Sequence, residues 1–406
     1  MPISIKQIIS AFVLVGVFVV TVIATHNFLT QPFPGHNDFL SRWEGARSFW
    51  VDGLNPYGEQ ASLNIQTEMY GRPALPDEDQ VLFAYPMYTA ILIAPLVYVD
   101  YAWASALMMV IMEALLIVAL LLLLDLYRWR PTLLQQVMLL LIVLFAYPFA
   151  RGLILGQLGV IAYVMYAVTL WALHRERPVL AGVALSIATI KPQLGFLIVP
   201  FLLLWGAKVR HTRFVGSFAL SWGGLMAFSF ALVPGWLGDM WDQVRNYTGY
   251  APPSAWQVLL GRLGIAENWQ YVIFALMWIA LLAVWYQVFI QNKLERAYWA
   301  GMLTLAVSNL ASPALASPHF TVFFIVLIFY LKQLAVRGQR GWLWALLLIV
   351  LIEPWVRFIL TLDYGEKLES AWMIFPEPVL VLISLWLTRQ LWWRSDLLAP
   401  PTKRTL

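Results

Sequence analysis

The sequence predicts an all-α polytopic membrane protein, with about twelve transmembrane helices and interfacial helices in a long first outer loop. Three observations lead there. Of 406 residues, 61% are hydrophobic and only 12% are charged, against about 25% charged in an ordinary soluble domain. One core cannot hide that much apolar surface from water, so the solvent is lipid. The apolar residues fall in runs cut by short charged segments, and 21 Trp and 17 Tyr suit belts at the membrane–water interface. The chain has no Cys, which excludes disulfides and thiol chemistry. Its net charge of +4 is modest, and its basic clusters suit anionic lipid, with no case for nucleic acid.

The elements follow in order. Lys6 precedes an apolar run from Ile8 to Ala24. The run is long for the core of a signal peptide and no small-x-small cleavage site follows, so it is expected to remain as the first span. Spans are predicted near residues 7–27, 102–126, 132–150, 158–173, 178–190, 194–207, 214–233, 271–290, 298–312, 320–336, 341–360 and 372–388. Several are short enough to be broken or tilted. Together they make a single integral membrane domain over residues 1–406, with outer loops at 28–100 and 234–270.

Charge sets the threading. With the N-terminus inside, 17 of the 26 basic residues gather on one side, among them Arg128, Arg130, Arg175, Arg177, Lys403 and Arg404. Only four acids join them, including Asp125 and Asp396. The other side holds nine basic residues and 17 acids, and Glu113 is left within a span. This is the positive-inside partition, with both termini cytoplasmic. It forbids residues 82–99 from crossing, because Arg128 and Arg130 would then face outside. That apolar stretch carries Pro86, Pro95, Tyr85, Tyr88 and Tyr98. It is expected to lie in the outer interface or to re-enter from outside under protein cover.

Three outer segments are candidates for chemistry. Residues 28–81 are far longer than a plain connector. Within them, Asp38-Phe39 opens and Gly53-Leu54-Asn55-Pro56 closes a predicted helix, Phe39–Trp50. Phe39, Trp43, Ala46 and Trp50 form one apolar stripe, with Arg42, Glu44 and Arg47 off it, as in a helix lying on a bilayer. The acidic run Asp77-Glu78-Asp79 reads as solvated loop. Residues 234–270 hold Trp236, Trp241, Tyr247, Tyr250, Trp256 and Trp269 with Arg245 and Arg262. Their aromatic faces suit interface anchoring or stacking on sugar rings. Short outer turns at Arg151–Gln157, Lys191-Pro192-Gln193 and Ser317-Pro318-His319 each put a cationic or amide group at the outer boundary. Cations at that depth are costly and are often kept for a ligand; together these suit an anionic lipid headgroup. Glu113 reads equally as a functional acid or as a protonated or hydrogen-bonded acid joining spans.

The run Asp38-Phe39, Trp43, Ala46-Arg47 and Gly53-Leu54-Asn55-Pro56-Tyr57 resembles the first outer loop of glycosyltransferase family 87. So do Phe83-Ala84-Tyr85-Pro86-Met87-Tyr88 and Ala94-Pro95-Leu96. Gly156-Gln157, Ala181-Gly182, Lys191-Pro192 and Ser317-Pro318-His319 follow in the family's order, so the resemblance spans roughly residues 1–330. The family often has a second Pro where this chain has Met87, and Asn where it has Gly159. The resemblance implies the GT-C architecture and an inverting glycosyltransferase. It is similar to polyprenol-phosphate-mannose-dependent mannosyltransferases and the related arabinofuranosyltransferases of cell-envelope glycolipid synthesis. The expected reaction moves a hexose, mannose first, from a polyprenyl-phosphate donor to a glycolipid or glycan acceptor. It takes place at the outer face of the plasma (inner) membrane, with no cofactor and no metal.

The resemblance implies Asp38 as the catalytic base, and the chemistry agrees. The donor carries its leaving group, so one carboxylate that takes the acceptor hydroxyl's proton suffices for inversion. A retaining hydrolase would want two carboxylates at matched distance. The competing reading of Asp38 is a helix N-cap, and Glu44 or Asp52 are alternative bases. Cations must meet charge developing on the departing phosphate. His319 leads these candidates and competes with a helix-capping ring. Lys191 follows and competes with a snorkelling lysine. Arg151, Arg262 and Arg245 come after them, while Arg42 and Arg47 suit pairing with acids on their own helix. Trp43, Tyr57, Tyr85 and Gln157 are taken as substrate-binding. A flippase or transporter of a lipid-linked sugar is the rival function. It favours two related halves around a midplane site, whereas the long outer loop here occurs once. A non-catalytic scaffold is a third reading, which Asp38→Asn separates from an enzyme.

Overall fold

The computed structural model describes residues 5–34, 37–76, 78–248, 254–312, 316–362, 369–394 and 398. Of the residues singled out above, Asp77, Tyr250, Asp396, Lys403 and Arg404 lie outside these. The described residues are helical or irregular, with no strand among them. Six helices among them are long and apolar enough to cross a membrane: Ile9–Thr30, Tyr101–Leu126, Thr212–Leu232, Glu267–Phe289, Ser317–Val336 and Arg340–Leu360. A bent pair, Leu133–Phe145 and Tyr147–Ile154, makes a seventh if it is one span. The chain is a multi-pass membrane protein.

Each predicted span coincides with a helix, but length divides them. Pro178–Ala188 and Ile198–Lys208 have 11 residues each, a rise of about 16 Å against a hydrocarbon layer of about 30 Å. They are separated by the Lys191-Pro192 turn, where Pro192 begins a helix of four residues. Leu133–Phe145 and Tyr147–Ile154 meet at a bend of 46°. Residues 82–99 contain only the six-residue helix Tyr88–Ile93 and a short turn over Ala94–Leu96. That helix rises about 9 Å and cannot span.

Cα proximity divides the chain into two compact units, where the sequence reading has a single domain. The first comprises Met1–Leu115, Leu153–Gln157 and Phe228–Tyr247. Its membrane helices meet through the His26 and Trp103 rings, stacked at 3.6 Å, and through Thr30 Oγ1, which donates to Ala102 O at 2.7 Å. Its segment from Asp38 to Leu96 is packed protein. The Asp38–Trp50 helix buries Phe39, Trp43 and Ala46 as the stripe requires, but Leu40, Ser41, Glu44, Gly45 and Ser48 are buried as well. A β-carbon on Gly45 would lie 2.6 Å from the Phe83 ring. The indoles of Trp43 and Trp50 donate to Leu96 O and Ala90 O, each at 2.9 Å. The helix expected on the bilayer therefore packs its apolar stripe against residues 83–96, because amphipathicity marks a face to be covered without naming the cover.

The second unit comprises Leu116–Gly152, Leu158–Ala227 and Thr248–Leu406. Ala297–Ala311 is its central helix, buried over nearly its whole length. Gly301 admits the Phe201 ring, and Trp299 Nε1 donates to Leu385 O at 2.8 Å. Tyr127 and Tyr298 share a hydroxyl–hydroxyl hydrogen bond of 2.5 Å. Arg175 forms an ion pair with Asp125, and Trp171 Nε1 donates to the same carboxylate at 2.6 Å. This contact joins the C-terminal ends of Tyr101–Leu126 and Leu158–His174.

Candidate active site

In the first unit the start of the Asp38–Trp50 helix is held by its predecessor. Asn37 is extended (φ −111°, ψ 175°) and its side-chain oxygen accepts from Phe39 N at 3.1 Å. Asn37 is therefore the N-cap, and Asp38 is released from that role. Tyr101 donates its hydroxyl to the same Asn37 oxygen at 2.5 Å, and Asn37 Nδ2 donates to Ile154 O at 2.8 Å. Phe39 N donates to Leu155 O at 3.0 Å. The chain then turns at Gly156, whose φ is +60°. A β-carbon there would lie 2.5 Å from Phe39 Cβ, so the close approach and the left-handed turn both require glycine. The turn delivers Gln157, buried at 5% exposure, whose Nε2 donates to Asp38 Oδ2. No side chain among the described residues hydrogen-bonds the other Asp38 oxygen.

Arg42, one turn on, donates to Asp38 O at 2.6 Å and to Ser41 Oγ at 2.5 Å, and its guanidinium lies 4.5 Å from the centre of the Tyr85 ring. This stack favours the cation. Arg47 shows the acid pairing expected on this helix, with Glu44 at 3.7 Å, and also meets Asp52, just past the helix end, at 3.5 Å. Tyr85 is presented by a strained turn, since Ala84 has φ +40°. Gln243 fixes it, accepting from Ala84 N at 2.8 Å and donating to Tyr57 O at 3.0 Å. Tyr57 in turn donates its hydroxyl to Tyr85 O at 2.5 Å. Trp43 and Tyr57 thus spend their polar atoms on backbone carbonyls that shape the site. Glu44 is on another face, buried beside Ser48 Oγ at 3.4 Å, and burial pushes its carboxyl up to about 7.

In the second unit His319 is 2% exposed. It sits in the short 3₁₀ turn Ser317–Phe323, and its Nδ1 accepts from Ala316 N at 2.9 Å. The capping reading is therefore correct, and it fixes the tautomer: the neutral ring carries its proton on Nε2. A β-carbon on Gly159 would lie 3.1 Å from His319 Cδ2, so glycine lets the Leu158–His174 helix start against the ring. Lys191 is 3% exposed, which a snorkelling lysine is not. Arg151 lies 3.7 Å from Glu369 and donates to Tyr147 Oη at 3.3 Å. Arg262 stands apart on the surface, 5.2 Å from the Trp372 ring centre. In the first unit, Arg245 is exposed beside Trp241 at 5.6 Å. Glu113 is half-buried and has no hydrogen bond or ion pair among the described residues.

The structure thus brings Asp38 and Gln157 together, with Tyr85 joined to them through Arg42. Asn37, Arg42, Gln243 and Glu369 are additions that sequence reasoning missed. Arg42 alone carried a signal, one helical turn from Asp38. A comparison with protein-family models matches glycosyltransferase family 87 over residues 83–318, more than half of the chain. The match takes in Gln157 and Lys191 and ends one residue before His319. No curated protein and no solved structure matches the chain. This chain belongs to glycosyltransferase family 87.

Proposed function

We propose that the protein is an inverting glycosyltransferase that moves a hexose, mannose first, from a polyprenyl-phosphate donor to a glycolipid or glycan acceptor. The site faces outward in the plasma (inner) membrane, with both termini cytoplasmic, about twelve spans and the GT-C architecture. Family membership supports the reaction class. The observation that carries the base assignment is the Asp38–Gln157 hydrogen bond, made by a carboxylate that Asn37 has relieved of capping.

Asp38 takes the proton of the acceptor hydroxyl as that oxygen attacks the anomeric carbon. The bond from that carbon to the phosphate oxygen breaks on the opposite face, and its electron pair leaves with the polyprenyl phosphate. Gln157 anchors one carboxylate oxygen, so the other meets the hydroxyl. His319 offers Nε2–H and Lys191 its ammonium to the charge that grows on the phosphate. Tyr85, under Arg42, supplies an aromatic face to a sugar ring. Trp43 and Tyr57 support that face.

The test is transfer from radiolabelled polyprenyl-phosphate sugars to a glycolipid extract by purified protein. Asp38→Asn should lower kcat by roughly 10²–10⁴ while donor binding and thermal unfolding stay as in the wild type. Full transfer by that variant would move the base to another residue.

A further inference from the structure

Around Glu369 the second unit holds a polar cluster that its own atoms do not complete. Glu369 has a side chain only 7% exposed. Its Oε2 accepts from Ser317 N at 3.3 Å and lies 3.7 Å from Arg151 Nε, an ion pair too long for a hydrogen bond. The Tyr147 hydroxyl also lies against this carboxylate. Gly152, beside Arg151, packs on Pro318, where an added β-carbon would lie 3.6 Å from Pro318 Cβ. Three buried atoms are left over: Glu369 Oε1, Arg151 Nε and Ser317 Oγ, none with a hydrogen-bond partner among the described residues. Each belongs to a group that touches, or is covalently next to, Glu369 Oε2. Buried polar atoms are ordinarily satisfied, so three orphans around one carboxylate call for an explanation.

Their chemistry defines what completes them. Arg151 Nε–H only donates, Glu369 Oε1 only accepts, and Ser317 Oγ does both. A phosphate oxygen only accepts and is repelled by Glu369. An ammonium only donates and is repelled by Arg151. A sugar hydroxyl accepts from Arg151 and donates to Glu369, and the ion pair cancels the net charge that would favour an ion. Ser317 is two residues from His319, so such a hydroxyl would sit beside the group assigned to the phosphate. We propose that Arg151, Glu369 and Ser317 form the subsite that binds a hydroxyl of the donor's sugar. This rests on the donor reading above, and it removes Arg151 from the phosphate-binding set.

Purified full-length protein is titrated with polyprenyl phosphate bearing mannose, bearing glucose, or bare. The wild type should bind its preferred sugar form about tenfold more tightly than the bare lipid, the worth of one good charged hydrogen bond. Glu369→Gln and Arg151→Gln should each bring that ratio close to one and leave the bare lipid's Kd unchanged. Ser317→Ala, which leaves the ion pair in place, should lower the ratio about threefold at an unchanged unfolding temperature, and it stands in should the other variants fail to fold. A ratio kept in all three variants would show that the orphans hold only water. Equal shifts for bare and sugar-bearing lipid would return Arg151 and Glu369 to phosphate binding or to structure. Either result overturns the subsite. A wild type that ignores the bare lipid as well as both sugar forms would instead overturn the donor reading, and the subsite with it.

Discussion

The two regions that carry the candidate chemistry treat their polar atoms in opposite ways. Around Asp38, nearly every group is answered by another part of the same unit: Asn37 by Tyr101 and Ile154, Asp38 by Gln157, Arg42 by Tyr85, Ala84 and Tyr57 by Gln243. Around Glu369, three buried atoms have no partner among the described residues. The first region is preorganised, holding a carboxylate in one orientation before any substrate arrives, which suits a base. The second is arranged yet incomplete, which suits a surface whose last hydrogen bonds come from a ligand. Paired and unpaired polar atoms are both informative, and they predict different responses to mutation.

After Asp38→Asn itself, the largest effect should come from His319. His319→Ala removes the Nε2–H and should lower kcat by roughly 10²–10³, measured with the radiolabelled assay. Combined with Asp38→Asn, it should lower the rate little further, because groups serving one transition state are not additive; a full product of the two losses would separate their roles. Next is Glu44, the strained member of the first region. Its carboxyl rises from an ordinary 4.5 to about 7 through burial, against which Arg47 works. A raised carboxyl favours the fold while protonated, so its contribution is complete below about pH 4.5 and is lost as pH climbs through 7. Relative to Glu44→Gln, the wild type should lose up to about 3 kcal/mol between pH 5 and 8. Parallel unfolding curves for the two proteins across that range would refute the shift. Gln243→Leu should cost about 1–3 kcal/mol, since it strands Ala84 N–H and frees a turn with positive φ; chemical denaturation measures it, and an unchanged midpoint would mean the clamp is idle. Smallest of all, Ser317→Ala should leave unfolding unchanged, because its hydroxyl has no hydrogen-bond partner among the described residues. A clear loss of stability there would erase the contrast between the regions.

Local signals made the helices legible. Apolar runs fell on helices, and Asp38-Phe39 and Gly53 framed a helix within a residue of its true start. Contacts distant in sequence were not. Gln243 reaches Ala84 across 159 residues, and no local pattern marks either partner. Glu369 looked like one outer acid among many until Arg151 and Ser317 met it. The stripe of the Asp38–Trp50 helix was read correctly as a face and wrongly as a membrane face, since lipid and the segment around Ala90 and Leu96 present the same apolar chemistry. The resemblance singled out Asp38 and Gln157 separately, and only the structure joined them and exposed Asn37 as the residue that frees Asp38.

Gly156 turns all of this into a constraint on evolution. Its missing side chain is where the backbone of residues 154–157 nests against the helix that carries Asp38. Any replacement must wedge the two apart, shifting Asp38 and Gln157 at once. Drift in acceptor preference therefore has to travel through the aromatic and loop positions around the pair, and a library randomised at 156 should return glycine in every active clone.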